Sequence, residues 1–218
     1  MNEISRRGRR RRVFQMSLYR DRVLPHLVHL SMKQATFEPY RRRAAGRAEG
    51  RVLEIGIGSG LNLAFYTAAT SLVGLDTSVK LLSMARRAAI GRSLSVELVE
   101  GTAEAIPLPD DSVDTVVMTW TLCSISDPTE GLGEMRRVLK PHGRLLFAEH
   151  GRAPEPAVVR WQDRLTPIWK RIGGGCHLNR PIAHLISAAG FRLDNVQTGY
   201  APGPKPMAFM YEGEARPQ

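Results

Sequence analysis

Apolar and polar positions follow two different periods along this chain, and the change of period divides it. Leu24, Leu27, Val28 and Leu30 recur at helical spacing with Pro25 in the first turn, which predicts a short helix from Pro25 to Lys33. A second helical piece is expected from Glu38 to about Ala48. From Arg51 onward, short branched apolar runs alternate with helical stretches, the pattern of a mostly parallel α/β sheet. The runs predict strands over 51–56, 71–76, 95–100, 113–119 and 144–149, with further strands near 191–199 and 206–212. Helices fall between them over about 60–69, from the N-cap Ser78 to just before Gly91, from Asp127-Pro128 to Leu139, and from Pro181 to the stop at Gly190. Lys140-Pro141-His142-Gly143 reads as a turn, and residues 154–172 as a helical insertion broken at Pro167.

The first strand runs straight into a glycine turn, Val52-Leu53-Glu54-Ile55-Gly56-Ile57-Gly58-Ser59-Gly60. Glycine is needed where backbone passes close to a ligand or takes positive φ, because a Cβ would clash. A helix opening near Gly60 would add free N–H groups and a positive dipole end. Asp76 closes the second strand, where a carboxylate accepts both hydroxyls of a ribose. Together these features point to a nucleoside cofactor. A dinucleotide fingerprint counted from Gly56 would need glycine at position 61, where Leu61 stands, so the pattern here is E-x-G-x-G-x-G.

Charge separates the N-terminus from the rest. Residues 1–50 hold 13 Lys/Arg against 4 Asp/Glu, and residues 51–218 hold 18 against 17, so the net +10 belongs almost wholly to the first segment. The run Arg6-Arg7-Gly8-Arg9-Arg10-Arg11-Arg12 cannot bury itself, and residues 1–16 are expected to be a disordered basic tail able to touch an anionic membrane or nucleic acid. Arg20, Asp21 and Arg22 interrupt any export h-region after the twin arginines, and no apolar run approaches a membrane span. Two cysteines, Cys123 and Cys176, are too few for a disulfide framework and fit a reducing cytoplasm. The expected location is cytoplasmic, with peripheral contact at the inner face of a membrane.

VLEIGIGSG, GLDTS, GTAEAIPLPDDSVDTVV and RRVLKPHGRLLFAEH stand in order across residues 50–150. This set resembles the class I S-adenosylmethionine-dependent methyltransferases, in particular their quinone-methyltransferase-like branch. TLCSI, FAEH and WQDRLTPIWKRIGGGCHLNR are similar to the microsomal alkyl-thiol methyltransferase branch, whose members begin with a hydrophobic anchor where this chain has a basic tail. The resemblance implies a Rossmann-like seven-stranded sheet, one strand antiparallel near the C-terminus, helices on both faces, and a catalytic domain over 50–218. It implies S-adenosyl-L-methionine as cofactor and S-adenosyl-L-homocysteine as product. Glu54, Gly56, Gly58 and Gly60 would hold the methionine part, Asp76 and Thr77 the ribose, Ala103 and Glu104 the adenine side, and Thr119 would lie near the sulfonium. Many relatives carry an aspartate where Thr102 stands here. The helices of residues 17–49 would form a lid over the cofactor or face a membrane.

Methyl transfer from a sulfonium is an in-line displacement, so the protein mainly aligns the nucleophile and excludes water. Ligands bind at the carboxyl ends of the strands in open α/β sheets. His150, just past the fifth strand, is the candidate base or acceptor-orienting group, with Glu149 beside it to orient His150 or bind the acceptor. Cys123 is read as a pocket-lining residue or a small core hydrophobe. Trp120, Trp161 and Trp169 are read as apolar walls or as core. Residues 173–180 are expected to form a mobile rim with His177 or Asn179 pointing inward. The histidines at 26, 29, 142, 150, 177 and 184 form no metal-binding spacing, so no metal is expected. The expected acceptor is a small apolar or lipid-associated molecule; the resemblance to the alkyl-thiol branch implies a thiol ahead of a phospholipid amine or a quinone ring. A nucleic-acid substrate is disfavoured, because Thr119-Trp120-Thr121-Leu122 stands where base N-methyltransferases carry Asn/Asp-Pro-Pro-aromatic. A cofactor-binding module without catalysis is the remaining alternative.

Overall fold

Branched apolar residues pair across five central strands so that each strand sends one side chain up and the next down. In the computed structural model, which describes residues 19–218, the strands are β1 (Glu49–Ile55), β2 (Ala68–Asp76), β3 (Ser95–Glu100), β4 (Val113–Thr119), β5 (Leu139–His150), β6 (Phe191–Tyr200) and β7 (Phe209–Pro217). They form one sheet in the order β3-β2-β1-β4-β5-β7-β6, in which β7 alone runs antiparallel to its neighbours. Leu53 pairs with Val73 and Val116, Val116 with Leu145, and Leu145 with Ala215. That row faces one core, and the neighbouring Val52, Leu72, Val117 and Leu146 face the other. Burial on both faces is why these strands read as unbroken apolar runs rather than as alternating ones.

Helices cover both faces. The chain's described part opens with a π-helical turn, Tyr19–Val23, followed by α1 (Leu24–Met32) and α2 (Glu38–Ala45). Ala45 packs with Leu63, Tyr66 and Leu82 on one face, where Leu82 belongs to α3 (Val79–Ala89). On the other face, Leu132 and Met135 of α4 (Pro128–Val138) pack with Ile182 and Ile186 of α6 (Ile182–Ala188). Between those helices lies α5 (Pro156–Ile172), and a short α7 (Lys205–Ala208) precedes β7. Ser78 caps α3 by accepting the Leu81 N–H, and Asp127 caps α4 by accepting from Thr129 and Glu130, as their sequence positions predict. The seven-stranded sheet with helices on both faces is therefore the observed fold. The expected basic tail, residues 1–16, lies outside the described residues.

Several boundaries differ from expectation. The helix expected over 60–69 is only a 3-10 turn, Leu61–Ala64, and β2 begins at Ala68 rather than at 71. Asn62 and Tyr66 turn inward to Glu54, which closes the segment after one turn. The break expected at Pro167 is absent. Pro167 and Asp163, whose carbonyl loses its donor, both face solvent, and the helix continues. The turn over 140–143 is a bulge inside β5, since pairing jumps from Val113–Leu139 to Thr115–Arg144. The final strand starts at Phe209 instead of 206, because Pro204 and Pro206 place α7 there first.

Candidate active site

Gly56, Gly58 and Gly60 follow β1 with φ of 66°, 56° and 80°. The first two require glycine for different reasons. A Cβ on Gly56 would lie 2.4 Å from Thr121 Oγ1, so the turn and the loop after β4 pack too closely for a side chain. A Cβ on Gly58 would meet nothing nearer than 3.9 Å and would enter open space, where bare backbone faces a ligand. Asp76 accepts the Gly58 N–H at 2.9 Å through Oδ2 and the Ser78 N–H at 2.8 Å through Oδ1. Each oxygen keeps a lone pair for a ribose hydroxyl. Burial raises the Asp76 pKa above the usual carboxylate range, opposed by those backbone bonds. Thr77 stands exposed beside it, and Ala103 is buried on the opposite wall. Glu104 Oε1 accepts the N–H groups of Ser126 and Asp127, so it also holds the approach to α4. A glycine cradle, a ribose-facing carboxylate and an apolar wall fit an adenosyl cofactor. The expected helix dipole at Gly60 plays no part, because no α-helix starts there.

Under the cradle lies a closed polar network. Glu54 is 1% exposed and accepts from Asn62 Nδ2 at 2.7 Å and from the Tyr66 hydroxyl at 2.8 Å. Burial pushes its pKa up to about 7 against those bonds and the nearby Arg41. The Asn62 amide also donates to Thr119 Oγ1 at 3.0 Å, while its Oδ1 accepts from Arg41 at 2.9 Å. Arg41 arrives from α2, is itself buried, and lies 5.0 Å from the centre of the Trp120 ring. Phe37 and Tyr40 pack on the same ring, and His29 of α1 bonds Ser59 Oγ at 2.7 Å. Trp120 holds φ of 50°, a left-handed conformation costly for an aromatic residue, and these contacts keep it there. The N-terminal helices are thus fastened to the cofactor cradle itself.

The ends of β4 and β5 hold a second cluster, next to the cradle through Thr121. Glu149 is 0% exposed, its Oε1 accepting the N–H groups of Thr121 (2.7 Å) and Leu122 (3.1 Å). Burial and the nearby Cys123 push its pKa up to about 8, opposed by the two backbone N–H groups. Its Oε2 and His150 Nδ1 are buried without hydrogen-bond partners among the described residues. His150 Nε2 lies 3.1 Å from Cys176 Sγ. Burial works to lower the His150 pKa, but Cys123 and Glu149 beside it turn the balance upward. The nearness of the two thiols pulls Cys123 well below the usual thiol range and, with burial, pushes Cys176 above it.

The structure brings Glu149 and His150 together with Cys123, for which pocket lining was one of two readings, and adds residues that sequence reading missed. Cys176 enters this site although it lies 26 positions from His150. The glycines before it, at φ of 67° and 92° for Gly174 and Gly175, turn the chain back toward the sheet. Of the rim residues, Asn179 points outward to Asp163 and His177 bonds the Cys123 carbonyl, while Cys176 and Arg180 reach inward. Trp161 is 56% exposed and forms no wall, whereas Trp120 does. Asn62, Tyr66 and Arg41 were missed altogether. The available signal was an amide two residues beyond the last glycine, in a segment too short for a helix.

Comparison with known proteins agrees with this geometry. A methyltransferase domain family matches residues 53–147. Thiol S-methyltransferase TMT1B of Rattus norvegicus is 35% identical over 178 residues, covering 80% of this chain and 72% of that protein. Phosphatidylethanolamine N-methyltransferase of Cereibacter sphaeroides is 31% identical over 150 residues, covering 64% and 74%. A solved S-adenosylmethionine-dependent methyltransferase from Mesorhizobium loti superposes with a TM-score of 0.66 at 19% identity, over 85% of this chain and 99% of that one, a likeness of fold.

Proposed function

The chain belongs to the S-adenosylmethionine-dependent methyltransferases, and on that premise we propose that its methyl acceptor is a small apolar thiol held at the ends of β4 and β5. The bound cofactor supplies an electrophilic methyl group. Gly58 and Asp76 set its position, and Trp120 with the N-terminal helices excludes water from above. The observation that carries the acceptor reading is the convergence of Cys123, His150 and Cys176 beside the ends of β4 and β5, their donor atoms within 4.8 Å of one another. A soft neutral acceptor suits the sulfur- and imidazole-lined site. The similarity to the rat thiol S-methyltransferase supports the same choice.

The helices of residues 17–49 serve on this reading as the lid. Peripheral contact with an anionic bilayer and residence in the cytoplasm complete the proposal. Trp161, Leu165, Ile168 and Ile172 lie along one stripe of α5, with Trp161, Ile168 and Ile172 strongly exposed. Leu27 and Leu30 of α1 are exposed nearby, since the Tyr19 hydroxyl bonds the Ile172 carbonyl. Exposed Arg160, Arg164, Lys170 and Arg171 flank the stripe. An amphipathic surface of this composition favours an acidic interface. Among the described residues no helix is long and apolar enough to cross a membrane.

Methyl-labelled cofactor offered with an alkyl thiol, phosphatidylethanolamine and a demethylated quinone tests the acceptor. A labelled methyl thioether is the expected product, and methylated lipid without thiol turnover overturns the reading. Sedimentation with vesicles should show binding to anionic but not to neutral lipid, and equal binding to both removes the electrostatic part.

A further inference from the structure

Cys123 follows β4, His150 ends β5, and Cys176 lies in the glycine loop after α5, so three separate elements each deliver one soft donor atom. Cys123 Sγ, His150 Nε2 and Cys176 Sγ all lie within 4.8 Å of one another. Zinc binds thiolate at ~2.3 Å and imidazole at about 2.0–2.1 Å in a tetrahedron, which separates its donors by roughly 3.5–3.8 Å. Small side-chain rotations therefore close these atoms on one ion. Two thiolates would also balance a divalent charge, leaving a neutral centre suited to a buried place.

The arrangement is locked from outside. The Cys123 carbonyl accepts the His177 N–H at 2.9 Å, and Arg180 Nη2 donates to the Ile125 carbonyl at 2.6 Å while Nη1 reaches that of Leu122. Gln162 Nε2 donates to the Leu178 carbonyl at 2.9 Å from inside α5. These bonds fix the loops bearing both cysteines before any ion arrives, as a tight metal site requires. Cys123 and His150 are buried, but Cys176 is only half-buried, so the cluster is reachable from its side. Three protein donors with one open position is the arrangement of reactive rather than structural zinc.

We propose that Cys123, His150 and Cys176 form a zinc site whose fourth position takes the sulfur of the methyl acceptor. The second half rests on the thiol reading above. A thiol that coordinates zinc loses its proton outright, here to water, and enters as thiolate at neutral pH. The thiolate sulfur then forms its bond to the methyl carbon as that carbon's bond to the cofactor sulfonium breaks, and the electron pair returns to the cofactor's sulfur. The products are the methyl thioether and S-adenosyl-L-homocysteine. The uncharged thioether is a poor zinc ligand and leaves.

The full chain, purified under reducing conditions with no affinity tag, is analysed for zinc and then reloaded with cobalt(II). About one zinc per chain is expected, with a thiolate-to-cobalt charge-transfer band. That band weakens in Cys123→Ser and in Cys176→Ser, and it disappears in the double variant. Cofactor binding by each variant reports that the fold survives. A chain that binds cofactor normally, holds no zinc after equilibration with the ion and shows no thiolate band overturns the site, as does a Cys123–Cys176 disulfide in its place. Adding an alkyl thiol should shift the cobalt bands; an unmoved spectrum overturns coordination of the acceptor. Full thiol turnover after zinc is chelated away also overturns it while leaving the thiol reading intact. A zinc-loaded chain that turns over no thiol removes the thiol reading and leaves the ion site standing.

Discussion

Two carboxylates illustrate how residue-scale environment assigns different work to one chemical group. Asp76 stays at the rim with a backbone N–H on each oxygen and capacity left for two hydroxyl donors. Glu54 spends both oxygens on Asn62 and Tyr66 and is sealed in. Asp76→Ala should therefore weaken cofactor binding by ~1–3 kcal/mol, read by calorimetric titration, with little change in folding stability. The residue identity of Asp76 was legible because a strand end and a glycine turn bracket it. The bonding of Glu54 was not legible. The residue stands in the right motif, but its oxygens support the turn and the mouth of β4, and that division depends on Asn62 folding back.

Segments act as units at the next scale, and two of them carry tests. Arg41 joins α2 to Asn62 and, through its second nitrogen, to the Met32 carbonyl at 3.2 Å. Arg41→Ala should detach the N-terminal helices from the cradle and raise the cofactor dissociation constant about tenfold, with the sheet unchanged by circular dichroism. Unchanged affinity would show that these helices are no lid. Gln162, fully buried in α5, accepts the Ala153 N–H and donates to the carbonyls of Gly151, Leu178 and Pro206. Gln162→Ala leaves those backbone groups unpaired and should cost at least ~2 kcal/mol, measured as a fall in urea midpoint. Periodicity found α5 but misread Pro167, because a proline breaks a helix only where the lost bond and the ring have no harmless side to face. It likewise promised a helix after Gly60 that two inward-turning polar side chains cut short.

The whole molecule should show an unusual pH dependence. Glu54 rises from 4.5 to about 7 and Glu149 from 4.5 to about 8, both through burial first. A carboxyl whose native pKa is raised favours the protonated form on folding. Its stabilising contribution is full below 4.5 and is lost as pH climbs through the native value. Stability should fall by about 1.4 kcal/mol per pH unit for each carboxyl across those windows. Urea denaturation at pH 5.5 and at pH 8.5 measures the loss, and Glu149→Gln should flatten the upper part of it; a slope unchanged by that substitution would place the effect elsewhere. The sequence by itself determined the sheet and the glycine cradle with Asp76, while the methyl donor entered through the resemblance of its ordered motifs to a family. Those features are local: strand period, turn chemistry and capping act between near neighbours in the chain. Only the tertiary structure decided the cluster at the ends of β4 and β5. Cys123, Glu149 with His150, and Cys176 sit on three elements whose approach depends on core packing and on the clamps from Gln162 and Arg180. Spacing along the chain holds no record of that convergence, so a search for metal-binding spacing passed over three donors that lie within 4.8 Å in space.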